Sequence, residues 1–320
     1  MQATLFDNEG SDRQVALSEL SLASLTDQQL LWVDVDRQRA QSFPELESWL
    51  GIASLGLPHE SEERLRPRVD NFGDWLKVRV IAIGSDGATS PLYLLVGRNW
   101  LATLHDGSSE IVESFERQLR ADSQLGQLTG AGVLAALLDW HLTGIFRAIE
   151  SLELQVDTLD DRAMSPNQKV PILPTLRQLR QKIARLRRSL IPHREVYSAL
   201  LRPDITSVFG TSEPDSVFST LWSQLERAVD SIDNARELVL GSFEMYSAQV
   251  AQRTNETMRL LTVVTVLLLP ISTLAGILGM NFQARFFATQ DLGFWVAIGA
   301  MALFLLISIL LTYRRGWIRS

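Results

Sequence analysis

The chain contains no cysteine. A disulfide framework, a thiolate metal site and a cysteine nucleophile are therefore excluded, whatever the compartment. Histidine is nearly as scarce. His59, His105, His141 and His193 stand in no metal-binding spacing, and each reads as an ordinary core or surface residue. No nucleophile motif accompanies them, so the chain is not expected to be an enzyme or to carry a cofactor. Net positive charge is also missing: the balance of −7 argues against a nucleic-acid partner, whose affinity would come mainly from phosphate contacts. Residues Met1 to Arg13 carry Asp7, Glu9 and Asp12 and no apolar run, so they do not read as an export signal.

The most informative absence is local. From Leu260 to Ala284, 25 residues pass without a charged side chain, and 22 more do so from Leu292 to Tyr313. At 1.5 Å rise per residue, about 20 apolar residues cover the hydrocarbon core of a bilayer. A buried helix of a soluble domain shows polar positions on most turns, and Met301 to Ile307 shows none. Two membrane spans are predicted. Only the short segment from Phe282 to Asp291 separates them, so they form a hairpin. Arg253 and Arg259 precede the first span and Arg314, Arg315 and Arg319 follow the second, against Arg285 alone in the loop. Positive flanks stay inside, which places both termini in the cytoplasm, at the inner (plasma) membrane of a bacterium. Residues 260–320 carry a balance of +3, so residues 1–259 hold −10 and attract cations.

What precedes the spans divides in two. Over residues 30–105, Leu76, Val78, Val80 and Ala82 alternate with Lys77, Arg79 and Ile81. Leu92 to Val96 and Trp100 to His105 follow after turn-rich stretches. An antiparallel meander is predicted, with Leu30 to Asp36 as a further strand and helices at Glu45–Gly51 and Glu110–Arg120. After Thr129 the period becomes helical. One helix is expected from Gly130 to about Met164 and another from Ile172 to Arg202 with a kink at Pro192. A third begins near Pro214 and runs into the membrane, because Gly241 costs only about 1 kcal/mol relative to alanine. The second of these is basic (Arg177, Arg180, Lys182, Arg185, Arg187, Arg188, Arg194 and Arg202 against Glu195). Its predecessor is acidic (Glu150, Glu153, Asp157, Asp160 and Asp161), so mutual neutralisation of antiparallel neighbours is expected. The fold class is an α/β N-terminal cytoplasmic domain over residues 1–128, a helical cytoplasmic stalk over 129–259 and a transmembrane hairpin over 260–320.

The first span is not uniformly apolar. Asn255, Thr262, Thr265 and Ser272 recur at spacings that place them near one helix face, with Met258, Leu261 and Leu269 on the same stripe. Several copies around an axis would line a pore with amide, hydroxyl and thioether groups. The competing reading is that the hydroxyls bond their own helix and that Ser272, Gly276 and Gly279 serve close packing. Asn281, at the outer end of the span, adds an uncharged oxygen ligand of the kind hard divalent cations prefer.

Gly279-Met280-Asn281, after a proline-containing span and before a final one, resembles the signature of the CorA family of divalent-cation transporters. Arg66-Pro67-Arg68-Val69, Pro192-His193-Arg194-Glu195-Val196-Tyr197 and Asn255-Glu256-Thr257-Met258 resemble further landmarks, so the likeness covers nearly the whole chain. The resemblance implies a funnel-shaped homopentamer in the lipid bilayer, with the third long helix lining funnel and pore. It implies that Asn281 holds a hydrated cation at the outer mouth, shaped by Gly279 and Met280. Ser272 and Leu269 would line the membrane pore, and Leu261, Met258 and Asn255 the inner constriction. Magnesium-transporting members usually have Met-Pro-Glu-Leu after the motif. This chain has Phe282-Gln283-Ala284-Arg285 and later Leu292-Gly293-Phe294, which looks more like the zinc-transporting, ZntB-like branch. Zinc is favoured on that likeness, with magnesium, cobalt and nickel open. The alternative from another class is a membrane-tethered cytoplasmic scaffold or metal sensor.

Overall fold

A computed structural model describes residues 2–7, 12–21, 24–38, 43–52, 54–55, 66–83, 89–107, 109–119, 129–164, 172–210, 216–279 and 290–314. They fall into two compact units, Met1–Ser242 and Phe243–Ser320.

The first unit is built on a seven-stranded sheet. Its strands are β1 (Gln2–Asp7), β2 (Arg13–Gln14), β3 (Gln29–Asp36), β4 (Arg68–Asn71), β5 (Leu76–Ile83), β6 (Thr89–Val96) and β7 (Trp100–His105), in spatial order β2-β1-β3-β7-β6-β5-β4. Strand alternation sends side chains to both faces. Leu76, Val78 and Val80 of β5 and Leu92, Leu94 and Val96 of β6 enter a core shared with the helices, while Tyr93, Leu95, Ala102 and Leu104 build a second core on the opposite face. That opposite face is covered by α1 (Pro44–Leu50), through the fully buried Leu46. The β4–β7 segment is the expected antiparallel meander. β3 departs from it: it pairs in parallel with β7, Leu31 opposite Trp100 through Asp36 opposite His105. A parallel neighbour requires a long crossover, and here the whole β4–β6 excursion supplies it.

The helices of this unit are α2 (Glu110–Leu119), α3 (Gly130–Met164), α4 (Ile172–Leu190), α5 (His193–Ala199), α6 (Pro203–Thr206) and the start of α7 (Ser216–Leu278). α3 is apolar enough to cross a membrane by composition, with mean hydropathy 1.3, but half of that stretch is buried within the fold. Leu134, Leu138, Leu142, Ile145 and Ile149 recur at helical spacing and enter the core, which makes α3 a core helix.

Two expectations about α4 are corrected. The kink at Pro192 is a break: α4 stops at Leu190, Ile191 and Pro192 form a turn, and α5 ends at Ala199 rather than Arg202. Two of the cations of α4 and α5, Arg187 and Arg194, are met from α7 rather than from the acidic stripe of α3. Arg187 Nε reaches Asp233 at 2.6 Å, and Arg194 makes a two-bond fork on Glu226 at 2.8 and 2.7 Å. Towards its far end α3 makes two polar links to these helices, Lys182 Nζ donating to Gln155 at 3.2 Å and Asp160 accepting from Ser242 of α7 at 2.9 Å. All three helices bury apolar residues in one core, so α4 has two neighbours, and a linear sequence shows only one of them as adjacent.

Three of the four histidines lie among the described residues, and all three are buried. Beyond the end of β4, the outer edge of β5 is completed by side chains from helices. His193 Nε2 accepts the Ile81 N–H at 3.0 Å, and His141 Nε2 donates to the Ile81 carbonyl at 2.9 Å. His193 Nδ1 donates to the Ser189 carbonyl at 2.8 Å, and the Tyr197 hydroxyl lies 3.2 Å from both His141 Nδ1 and the Leu138 carbonyl. His193 and Tyr197 of the Pro192–Tyr197 landmark thus lock helices to sheet.

The second unit comprises α7 from Phe243 onward and α8 (Gln290–Arg314). Their apolar stretches have mean hydropathy 2.3 and 2.4, and neither is buried within the fold. α7 runs through Gly241 as expected and contains Pro270, which withholds the usual helical donor from the Val266 carbonyl.

Candidate functional site

α7 is continuous over every predicted pore position from Asn255 to Ser272, and Gly279 follows in a turn one residue past its end. With about 100° between successive residues, Asn255, Met258, Leu261, Thr262, Thr265, Leu269, Ser272 and Gly279 fall within a sector of roughly 120°. One face therefore carries them all. Each of these side chains from Asn255 to Ser272 is exposed, and Met258, Leu261 and Leu269 are at least 56% accessible. Uncovered leucines are costly in water and neutral against lipid or a second helix.

The hydroxyls on this face have a defined geometry. Thr262 donates to the Met258 carbonyl at 2.8 Å, Thr265 to Leu261 at 2.8 Å and Ser272 to Leu268 at 2.9 Å. Each hydroxyl proton is directed back along the helix, four residues towards its N-terminus. The hydroxyl oxygen keeps lone pairs outward and so presents an acceptor to whatever passes. Self-bonding and pore lining are thus compatible rather than exclusive, because an acceptor suits a cation or the hydrogens of its hydration shell. Thr273 makes the same bond to Leu269 at 2.8 Å and, about five full turns from Asn255, stands at the edge of the same sector.

At the outer end, the Gly279 N–H bonds the Ala275 carbonyl at 2.9 Å. A Cβ there would lie 3.2 Å from that same oxygen, tighter than ordinary contact, which favours glycine. Met280, Asn281 and the loop Phe282–Arg285 lie outside the described residues. Among the described residues no group of three or more histidines and carboxylates is arranged to hold a metal ion. The inner end of the stripe is more polar. Glu256 accepts from Gln252 at 3.1 Å, and Thr257 donates to the Arg253 carbonyl at 3.0 Å, both on the exposed surface of α7.

Comparison with known proteins gives a consistent picture. A family model described as CorA-like Mg2+ transporter protein matches residues 27–314. The divalent cation transporter CmaX of Pseudomonas aeruginosa is 26% identical over 94% of this chain and 92% of its own length. The zinc transport protein ZntB of Yersinia pseudotuberculosis is 25% identical over 90% of this chain and 87% of its own. The complete structure of the CorA magnesium transporter from Methanocaldococcus jannaschii superposes with a TM-score of 0.82 at 21% identity, covering 99% of both chains, which shows a shared fold.

Proposed function

The chain belongs to the CorA-like transporter family, whose members are transporters rather than enzymes, and from that premise we propose that it moves divalent metal cations across a membrane through a pore lined by α7. The observation that carries this reading is the single α7 face that gathers an amide, three outward-facing hydroxyl oxygens, a thioether and two leucines in a helix with nothing buried along its apolar stretch. One helix encloses nothing. Five copies related by a central axis, as the resemblance implies, put this face inward, with α8 returning through the membrane as the second arm of a hairpin and both termini in the cytoplasm. Residues 1–128 and 129–259 then form the cytoplasmic α/β domain and stalk, and 260–320 the membrane part.

The ion enters with its water. Asn281, in Gly279-Met280-Asn281, forms a ring of neutral amides at the outer mouth that binds the hydration shell without trapping the charge. Leu269 and Ser272 line the membrane pore. Leu261 and Met258 form apolar rings that close it by excluding water, and Asn255 stands at the inner exit. Neither apolar run contains Asp, Glu, His, Lys or Arg, so the usual proton carriers are missing from both. The membrane potential alone supplies about 4.6 kcal/mol per 100 mV for two charges, and the acidic cytoplasmic part draws the ion onward. Zinc is the proposed substrate, on the Phe282–Arg285 loop, with magnesium, cobalt and nickel as competitors.

The test is uptake into proteoliposomes, with zinc and magnesium in competition and with and without a pH gradient, for the parent and Asn281→Ala. Saturable zinc uptake lost in the variant while the oligomer stays intact is the expected result. Flux indifferent to Asn281→Ala would overturn the pore, and a protein with no flux at all would be a tethered scaffold or sensor.

A further inference from the structure

The ion pathway leaves the landmark Arg66-Pro67-Arg68-Val69 without a role. It leads into β4, which borders a cleft of about 680 Å3 in the first unit. Strands β4, β5 and β6 form one side and the α5–α6 corner the other. We propose that this cleft binds a phosphate group, either free or carried by a nucleotide.

Charge is the first argument. Arg68, Lys77, Arg79 and Arg202 line the cleft against Asp70 and Asp204, an excess of two positive charges in a chain whose balance is −7. The cations are placed by strand register rather than scattered. Arg68 of β4 stands directly opposite Arg79 of β5, and like charges in register on neighbouring strands repel. Arg68 meets Asp70 through Nε at 2.6 Å, and Arg79 meets the Arg66 carbonyl through Nε, also at 2.6 Å. Both engage through the same nitrogen, so their terminal amino groups are placed to form the planar fork that matches phosphate oxygens. A dianion between them turns the repulsion into two ion pairs.

The deep end of the cleft points the same way. The Lys77 side chain is 14% exposed, with Asp70 3.7 Å away and the Leu55 carbonyl at 3.3 Å. Those contacts are long for a nearly buried ammonium with three donors. Tyr93 stands opposite Arg79 on β6 and is 1% exposed, and its buried hydroxyl has no hydrogen-bond partner. Such a group is rare in a folded protein and marks a place where a partner belongs. Lys77, Arg79 and Tyr93 project from one face of the sheet, so an ammonium, a guanidinium and a phenol converge. This set offers two cationic donors and a phenol that can donate as well as accept. It suits an oxyanion and repels a metal cation.

Calorimetry on the full-length protein in detergent, with EDTA present so that metal chelation plays no part, tests the proposal. The probes are inorganic phosphate, ATP and adenosine. Saturable binding of one phosphate probe per chain is expected, weakening as salt rises. Lys77→Met and Tyr93→Phe should each weaken it about tenfold, the scale of one charge-assisted hydrogen bond. Tyr93→Phe removes a single unpartnered oxygen, so the fold is retained and the variant is decisive even if Lys77→Met is not. Tighter binding of phosphate assigns the free anion; tighter binding of ATP with adenosine silent assigns a nucleotide. No saturable binding of either at millimolar concentration, or an affinity unchanged by Tyr93→Phe, overturns the site. The readout involves no transport, so it stands or falls apart from the ion pathway.

Discussion

His141 and His193 lie with ring centroids 4.7 Å apart, and what each ring binds fixes its tautomer. A second proton on His193 Nε2 would face the Ile81 N–H, and a charge on either ring would sit in the core. Burial pushes His141 down to about 4 despite the Ile81 carbonyl, and burial together with the neighbouring His141 holds His193 well below its usual value. Unfolded histidine titrates near 6.5, so as pH falls the unfolded chain takes up protons first. The stability these neutral rings contribute is complete above that pH and is lost as pH drops towards 4, by about 3 kcal/mol for His141 alone. Melting curves in detergent from pH 7.5 to 4 should therefore fall steeply, and His141→Gln, which keeps a donor for Ile81 but cannot titrate, should give a shallower fall from a lower start. Parallel curves for the two proteins would refute the assignment. His105 behaves oppositely. Burial lowers it, but the hydrogen bond and charge of Asp34, the Gly107 carbonyl and the Asp36 charge outweigh burial and raise it. On α7, Thr265→Val keeps the shape and removes the outward oxygen, and should lower flux several-fold without changing assembly. An unchanged rate would remove the hydroxyls from the pathway.

Among the elements, the junction of the β6–β7 turn with α3 is close-packed. The Gly130 N–H bonds the Arg98 carbonyl at 2.7 Å, and a Cβ on Gly130 would lie 1.9 Å from the Gly97 carbonyl oxygen. The obstacle is backbone, which yields little, so Gly130→Ala should destabilise by about 1–3 kcal/mol, read as a lower melting temperature. Gly241→Ala is the contrast: nothing lies within 4 Å of its Cβ position in mid-helix, and it should stabilise by about 1 kcal/mol. A loss at Gly241 or a gain at Gly130 would contradict this packing. Sequence periodicity revealed β5, β6, β7 and the long helices because their patterns are local and repeat many times. β1, β2 and β4 escaped it, since β2 has two residues and β4 a single apolar one, Val69. Parallel pairing of β3 with β7, and α7 rather than α3 as the partner of Arg187 and Arg194, are matters of distant register that no window of sequence contains. The exposed Arg187–Asp233 and Arg194–Glu226 pairs contribute at most about 1 kcal/mol each, so they orient α4 and α5 more than they hold them.

For the molecule as a whole, the polar stripe of α7 was legible because helical period is local arithmetic, whereas the cleft beside β4 was not, because its lining comes from three strands and a helix corner. The absence of cysteine that opens the sequence makes the assembly testable residue by residue. A single thiol can be placed anywhere on α7 without a competing background. Ser272 belongs to the 120° sector and Leu274, about 200° further round, faces away from it. If identical α7 helices surround a water-filled axis, Ser272→Cys meets solvent and its counterparts, while Leu274→Cys meets lipid or a neighbouring helix. A cationic, water-soluble thiol reagent should then cut flux at least tenfold in Ser272→Cys and leave Leu274→Cys untouched. Mild oxidation should yield disulfide-linked dimers only in Ser272→Cys, and native mass spectrometry of the parent should count five chains. Sensitivity at Leu274→Cys instead would turn the hydroxyl face towards lipid. The acceptors that Thr262, Thr265 and Ser272 hold outward would then have no ion to meet, and the pathway through α7 would have to be abandoned whatever the number of subunits.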